Sequence, residues 1–117
     1  MLSEERITAI KQILIHHVGK ANAINARQIA TQLEIPDNDT FGSTRRLISR
    51  IIQNEDLPIG AYKSGFYIID NQTELKETIK VLTKRVDNIN RKISKVKANY
   101  QSYHVKLENF QISNHHK

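Results

Sequence analysis

The sequence predicts an α+β fold that is mostly α-helical with a small β-hairpin, followed by one long C-terminal helix. Three observations predict this class. Apolar residues recur at helical spacing in three short segments before residue 56. The pattern then changes to short extended runs around a glycine-containing turn. Finally, residues 75–110 carry a heptad repeat that no glycine or proline interrupts.

The first helix is predicted to begin at Ser3, whose side chain can cap it. Ile7, Ile10, Leu14 and Val18 then follow one helical stripe. Gly19 suits the left-handed position just beyond a helix, so the first helix is expected to end there.

A capping box predicts the start of the second helix. Asn25 and Gln28 have its spacing, and Ile24 and Ile29 have the spacing of a hydrophobic staple. The helix must end soon afterwards, because Pro36 disfavours helical geometry at the residue before it.

The third helix is predicted to begin near Asp39 or Thr40. At about 100° per residue it has an apolar side and a polar side. The apolar side is expected to hold Phe41, Thr44, Arg45, Ile48, Ile51 and Ile52, with Arg45 near its edge. The polar side is expected to hold Ser43, Arg46, Ser49, Arg50 and Gln53.

The hairpin is predicted from residues 57–61, which read as extended, and residues 66–69, which are aromatic and β-branched. Gly65 is expected to supply a positive φ in the turn between them. Thr73 and Glu74 are expected to start the last helix.

The last helix carries about five heptads, more than the three or four that indicate a coiled coil. A two-stranded coil would bury this apolar seam between two copies, so we expect a homodimer. Lys92 and Lys97 would face each other in a parallel pair, which leaves the strand orientation open. We expect residues 73–112 to form the dimerisation helix and residues 113–117 to be a disordered tail. The seam residues are Leu75, Ile79, Leu82, Val86, Ile89, Ile93, Val96, Tyr100, Tyr103, Leu107 and Phe110.

Composition excludes several classes. The 117 residues, 38% hydrophobic, suffice for one small core. There is no cysteine, which excludes disulfide and thiolate-zinc scaffolds and fits a cytoplasmic location. No apolar run approaches the roughly 20 residues of a membrane span, and Glu4 and Glu5 do not suit a signal peptide. We therefore expect no membrane partner.

The net charge is unevenly distributed along the chain. Residues 1–72 contain eight basic and eight acidic side chains, whereas residues 73–117 contain ten basic and four acidic ones. The whole formal charge of +6 therefore belongs to the last part of the chain. A nucleic-acid interface in the first part depends on where individual charges lie.

Three segments carry a resemblance to a known family: Asn25–Leu33, Thr44–Arg50 and Leu57–Ile68. Together with the order of helices and hairpin, they make residues 5–69 resemble a winged helix-turn-helix domain, for which we set bounds of 1–72. Such proteins of phages and prophages often join the hairpin, or wing, to a long C-terminal helix. The resemblance implies a winged helix-turn-helix head followed by a long coiled-coil helix. Asp37 and Asp39, which would repel a phosphate at the start of the third helix, depart from the DNA-binding pattern.

The resemblance implies that the third helix enters the major groove of double-stranded DNA. Arginine, glutamine, asparagine and serine suit base and phosphate contacts. The alternative interpretation is that the arginines only solvate an exposed helix face. The residues expected to contact DNA are Arg27, Asn38, Thr40, Ser43, Arg46, Ser49, Arg50, Gln53, Tyr62, Lys63 and Ser64.

Two functions remain open at this point. The first is a homodimeric, sequence-specific DNA-binding protein that acts in transcription regulation or in phage or plasmid DNA metabolism. The second is an adaptor or inhibitor whose winged helix and basic long helix bind an acidic host or replication protein. A monomer with the long helix folded back on its own head ranks last. No catalytic constellation is present, and we expect neither an enzyme nor a cofactor. His16–His17 and His115–His116 do not have metal-chelating spacing, so we expect no metal.

Overall fold

The protein is mostly helical, with a small three-stranded antiparallel sheet and a long C-terminal helix. A computed structural model describes residues 3–38, 40–63 and 65–115, with side chains described through residue 110. This confirms the α+β class. The elements are α1 (Ser3–Leu14), a 3₁₀ turn (Lys20–Asn22), β1 (Ile24–Asn25), α2 (Ala26–Gln32), α3 (Gly42–Asn54), β2 (Ile59–Tyr62), β3 (Gly65–Ile68) and α4 (Gln72–His115).

The sheet has the order β1-β3-β2, with β3 antiparallel to both neighbours. Ile24 pairs with Phe66 on one side of β3, and Ile59 pairs with Ile68 on the other. The hairpin that the sequence predicts is therefore confirmed as β2–β3. The two-residue strand β1 leads directly into α2, so the start of α2 is attached to the sheet.

The core lies between α1, α2, α3 and the sheet. Ile10, Leu14, Ile29, Ile48 and Ile51 are fully buried in it. Burying each of these side chains contributes on the order of 1.5–3 kcal/mol. One face of α3 faces this core, and the opposite face is exposed.

The end of α1 differs from the prediction. The helix ends at Leu14, Ser3 is already inside it, and Val18 is 41% exposed. The Ile68 N–H donates to the His17 carbonyl at 2.8 Å, and the Gly19 N–H donates to the Ile68 carbonyl at 2.8 Å. The N–H of Ile15 still donates to the Lys11 carbonyl at 3.0 Å, so the bonds to Ile68 attach the chain to the sheet only from His17 onwards. Gly19 has a positive φ of 88°, but it precedes the 3₁₀ turn and does not end α1.

The boundaries and the buried face of α3 also differ. The helix begins at Gly42, after Phe41 in the left-handed region at φ 56°, so Thr40 lies outside it and Asp39 lies outside the described residues. Leu47 is buried, although the sequence did not place it on the apolar side. Ile52, expected in the core, is 45% exposed because it lies about 100° around the helix from Ile51.

The positive φ of the hairpin turn belongs to Lys63, at 46°, and the expectation for Gly65 is wrong. Gly65 is the first residue of β3 and pairs with both Asn25 and Tyr62. A β-carbon at this position would lie 3.1 Å from the Ala23 β-carbon. The missing side chain of Gly65 therefore lets neighbouring chain segments approach closely.

The long helix α4 begins at Gln72, one residue earlier than predicted. The Asn71 side chain caps it by accepting the Glu74 N–H at 2.9 Å. The Glu74 carboxylate accepts the Lys20 N–H at 2.9 Å and the Asp70 N–H at 2.8 Å, and both bonds lower its pKa.

The chain forms two compact units, residues 1–79 and 80–117. We call residues 1–79 the head. Residues 113–115, expected to be disordered, belong to α4, and no glycine or proline ends the helix before them. Residues 116 and 117 of the expected tail lie outside the described residues. None of the described helices is both long and apolar enough to span a membrane.

Candidate nucleic-acid interface

Asp37 determines where α3 begins. Its Oδ2 accepts the N–H and the Oγ1 hydroxyl of Thr44, both at 2.8 Å, and its Oδ1 accepts the Ser43 N–H at 3.2 Å. Desolvation raises the pKa of the Asp37 carboxyl, but these bonds and one from the Asn38 N–H lower it to about 2. The carboxylate thus occupies the N–H groups at the start of α3. A phosphate near this end must be held by side chains.

Asn38 and Thr40, both expected to contact DNA, contact each other in the turn before α3. The Asn38 Oδ1 accepts the Thr40 hydroxyl at 2.9 Å, the Thr40 N–H at 3.2 Å and the Gly42 N–H at 3.1 Å. Both residues are exposed. Their described hydrogen bonds shape the turn and hold the first residue of α3.

Three arginines gather around the start of α3, and we call Arg27, Arg45 and Arg46 the arginine cluster. The Arg45 Nε donates to the Thr40 carbonyl at 3.0 Å. The Arg46 Nε donates to the Gly42 carbonyl at 3.4 Å. The Arg27 guanidinium lies over the Phe41 ring, 5.6 Å from its centroid. The Nε bonds orient two guanidinium groups and leave their terminal nitrogens to contact a ligand.

Arg45 is a member of this cluster that the sequence analysis missed. It was assigned to the edge of the apolar side, whereas its side chain is exposed. The signal that could have found it is chemical, because arginine is almost never fully buried without a partner. The carbonyl it contacts, that of Thr40, lies outside α3, so helical periodicity could not have indicated it.

The exposed face of α3 is centred on Arg46, Ser49 and Gln53. Ser43 is partly buried, and its N–H is bonded to Asp37. Arg50 is exposed on the flank towards α1, where a shallow cleft is lined by Arg50, Asn54, Glu4 and Glu55 among others. Of the predicted residues on α3, Arg46, Ser49 and Gln53 are therefore the best placed to meet a groove.

The hairpin brings two lysines to one tyrosine. The Lys20 Nζ lies 4.2 Å and the Lys63 Nζ 5.3 Å from the centroid of the Tyr62 ring, which is 40% exposed. Lys20 was not predicted to belong here. Its ammonium also donates to the Glu77 carboxylate at 3.1 Å, and this bond raises the pKa of Lys20. Ser64, also expected to contact DNA, lies outside the described residues.

The ion pairs divide the cations of the head into two groups. Lys11 pairs with Glu55 at 3.2 Å and Lys20 with Glu77 at 3.1 Å. Within residues 3–38, 40–63 and 65–79, neither the arginine cluster, Arg50 nor Lys63 forms an ion pair. The balanced net charge of residues 1–72 thus conceals cations along α3 and at the hairpin that form no ion pair with a described residue.

All eleven seam residues of α4 are exposed. Their exposed fractions range from 37% at Leu75 and Leu107 to 64% at Tyr100 and Phe110. Tyr100 and Tyr103 both contact the His104 ring, with centroids 4.3 and 5.7 Å from it. The described part of the chain therefore leaves an apolar stripe of about 50 Å in contact with solvent.

No group of three metal-ligating side chains occurs among the described residues. His16 is exposed, and the His17 Nδ1 lies 2.8 Å from the Asn22 carbonyl oxygen. The side chain of His115 and all of His116 lie outside the described part.

Comparison of the chain with protein-family models, with curated proteins and with solved structures found no match. The chemistry of the exposed residues indicates what they can bind. Guanidinium groups bind phosphate and guanine bidentately, and glutamine pairs with adenine. The exposed side chains of Arg46 and Gln53 therefore have the chemistry that base recognition requires, and those of Arg27 and Arg45 have the chemistry that phosphate contacts require.

Proposed function

We propose that the head is a winged helix-turn-helix module that binds duplex DNA, with α3 in the major groove and the β2–β3 hairpin as the wing. The 13 residues of α3 span about 20 Å, and a helix fits the major groove, which is about 12 Å wide. Its inner face packs in the core, which holds the outer face in a fixed orientation. This rigid presentation suits base recognition.

Each group has a distinct role in this proposal. Arg46, Ser49 and Gln53 face the base edges. Arg27 and Arg45 contact phosphates on either side of the start of α3, and such contacts set the register of the protein on the duplex. Lys63 and Tyr62 contact the backbone or the minor groove beside the wing. Arg50 lies next to Glu4 and Glu55, so we assign it a smaller contribution than the sequence suggested.

The protein acts as a homodimer in this proposal, with the seam of α4 covered by a second copy. Burial of each seam side chain contributes on the order of 1–3 kcal/mol, whereas the Lys92–Lys97 repulsion costs a few tenths of a kcal/mol. A dimer would present two heads and would recognise two half-sites. A monomeric protein at micromolar concentration in equilibrium sedimentation would contradict the dimer and favour the folded-back alternative.

The observation that carries the DNA-binding proposal is the row of arginines on and beside α3 without ion-pair partners in the described head. Selection from randomised duplexes identifies the preferred site. We then compare Arg46→Gln with Lys76→Gln, an equal loss of charge at an exposed position away from α3. Arg46→Gln should weaken binding to the selected site by about 1–3 kcal/mol and reduce discrimination against scrambled duplexes. Lys76→Gln should change neither by more than about twofold.

Equal binding by the Arg46→Gln protein and the Lys76→Gln protein would remove α3 from the interface. Fluorescence anisotropy at three salt concentrations distinguishes the loss of a phosphate contact from the loss of a base contact. Loss of a phosphate contact reduces the salt dependence, whereas loss of a base contact reduces discrimination.

An adaptor that binds an acidic protein is the second candidate function. Equal numbers of acidic and basic residues in positions 1–72 favour it, as does the placement of Arg50 beside two glutamates. Purification from lysate with and without nuclease distinguishes the two. A stoichiometric acidic partner that survives nuclease supports the adaptor, whereas co-purifying nucleic acid supports the DNA-binding protein.

A further inference from the structure

The middle of α4 is strongly basic. Between residues 80 and 106 there are eight basic side chains and one acidic side chain, Asp87, and all of them are exposed. None of these charges forms an ion pair among the described residues. Arg91 donates to the neutral Asn88 side chain at 3.4 Å. The basic residues are Lys80, Lys84, Arg85, Arg91, Lys92, Lys95, Lys97 and Lys106.

Four of these cations form one line along the helix, and we call Lys80, Lys84, Arg91 and Lys95 the basic stripe. At 100° per residue they fall within a sector of about 60°, on the side opposite the seam. The stripe therefore stays accessible when the seam is covered by a second helix. It is about 22 Å long, the length of six to seven phosphate steps along one DNA strand.

We infer that the basic stripe is a second DNA contact, which binds the phosphate backbone of a duplex without reading its sequence. Lysine, three of the four residues, is a flexible point charge that suits a phosphate. This surface is separate from α3, so it does not depend on whether the head reads DNA sequence.

The charge pattern favours a polyanion on the outer face over an acidic helix packed on the seam. An acidic coiled-coil partner requires cations along both flanks of the seam. One flank between residues 80 and 106 carries a single lysine, Lys97, together with Thr83, Asn90 and His104. The cations are instead concentrated opposite the seam and along the other flank.

The test uses the full-length chain with four exposed substitutions, K80Q/K84Q/R91Q/K95Q. Glutamine is a good helix former, so α4 should persist, and circular dichroism checks this. The matched control is N88A/S94A/Q101A/S102A, which changes four exposed outer positions without changing charge. The probe is a 30-base-pair duplex of random sequence, titrated by anisotropy between about 50 and 200 mM KCl.

The inference predicts that the glutamine variant loses at least about tenfold in affinity at 50 mM KCl, and that its log–log salt slope falls by about 3–4 per chain. The control should match the wild type. The partial variants K80Q/K84Q and R91Q/K95Q should each show about half of the change in slope that the fourfold variant shows. They provide a second measurement if the fourfold variant is poorly folded.

An unchanged slope would overturn the inference. If the fourfold glutamine variant lost binding to polyglutamate but retained duplex binding, the inference would be overturned, and an acidic protein would be the partner of the basic stripe. The same titration with Arg46→Gln separates this inference from the function proposed for α3. Arg46→Gln should reduce the preference for the selected site and retain most of the affinity for random duplex.

Discussion

Replacing Asp37 by asparagine should destabilise the head in a pH-dependent way. The Asp37 carboxylate holds two backbone N–H groups and a hydroxyl at the start of α3, and its pKa is about 2 against an ordinary value of 3.8. At 1.36 kcal/mol per pKa unit this difference corresponds to about 2 kcal/mol. Because the side chain is partly exposed to solvent, we expect about 1–2 kcal/mol at pH 7.

The sign of the pH dependence follows from the direction of the shift. A carboxyl whose pKa is lowered in the folded state contributes its full stabilisation above about pH 4, where the unfolded chain is also ionised. This stabilisation is lost as the pH falls from about 4 towards 2. Asparagine does not titrate, so the Asp37→Asn protein should lack this component of acid destabilisation.

Urea unfolding of the full chain between pH 2 and 7, followed by circular dichroism, measures both the loss of stability at pH 7 and its pH dependence. Asp56→Asn is the matched control, since Asp56 is exposed and accepts no described hydrogen bond. The expected result is that the free energies of unfolding of wild type and Asp37→Asn converge as the pH falls, while the control remains parallel to wild type. Equal stability of Asp37→Asn and wild type at pH 7, or parallel curves below pH 4, would refute the role assigned to Asp37.

Two further changes test the core and the seam. Gly60→Ala should destabilise the head by about 1–3 kcal/mol in thermal unfolding, because the added carbon would lie 2.6 Å from Cζ of the buried Tyr67. The control Gly42→Ala should be nearly neutral, because its added carbon would have its nearest contact at 3.6 Å. Ile89→Asn should raise the dimer dissociation constant at least about thirtyfold in sedimentation, since two buried side chains are lost per dimer, whereas Asn88→Ala should not. If Gly60→Ala and Gly42→Ala had equal effects, the packing described for Gly60 would be wrong. If Ile89→Asn and Asn88→Ala had equal effects, the seam proposed for α4 would be wrong.

The candidate interface was only partly predictable from the sequence. The outward position of Arg46, Ser49 and Gln53 follows from helical periodicity once Ile48 and Ile51 are assigned to the core. The orientation of Arg45 does not follow from periodicity, because its Nε donates to the carbonyl of Thr40, which lies before the helix. Lys20 is 42 residues before Tyr62 in the chain, and no local pattern could bring them together.

Local interactions determined the parts of the fold that the sequence alone predicts. The capping box at the start of α2 spans the four residues Asn25–Gln28, and both of its hydrogen bonds are present. The continuity of α4 follows from 44 residues without glycine or proline. Such features depend on groups within about one helical turn, so the residue order specifies them directly.

Only the tertiary structure decided how the chain continues after α1 and where α3 begins. Backbone bonds to Ile68 of β3 attach the chain to the sheet from His17 onwards, and Asp37 reaches seven residues ahead to Thr44 at the start of α3. Glu74 accepts the Lys20 N–H from 54 residues away. These hydrogen bonds join groups that become neighbours only when the chain has folded, so the order of residues alone does not specify them.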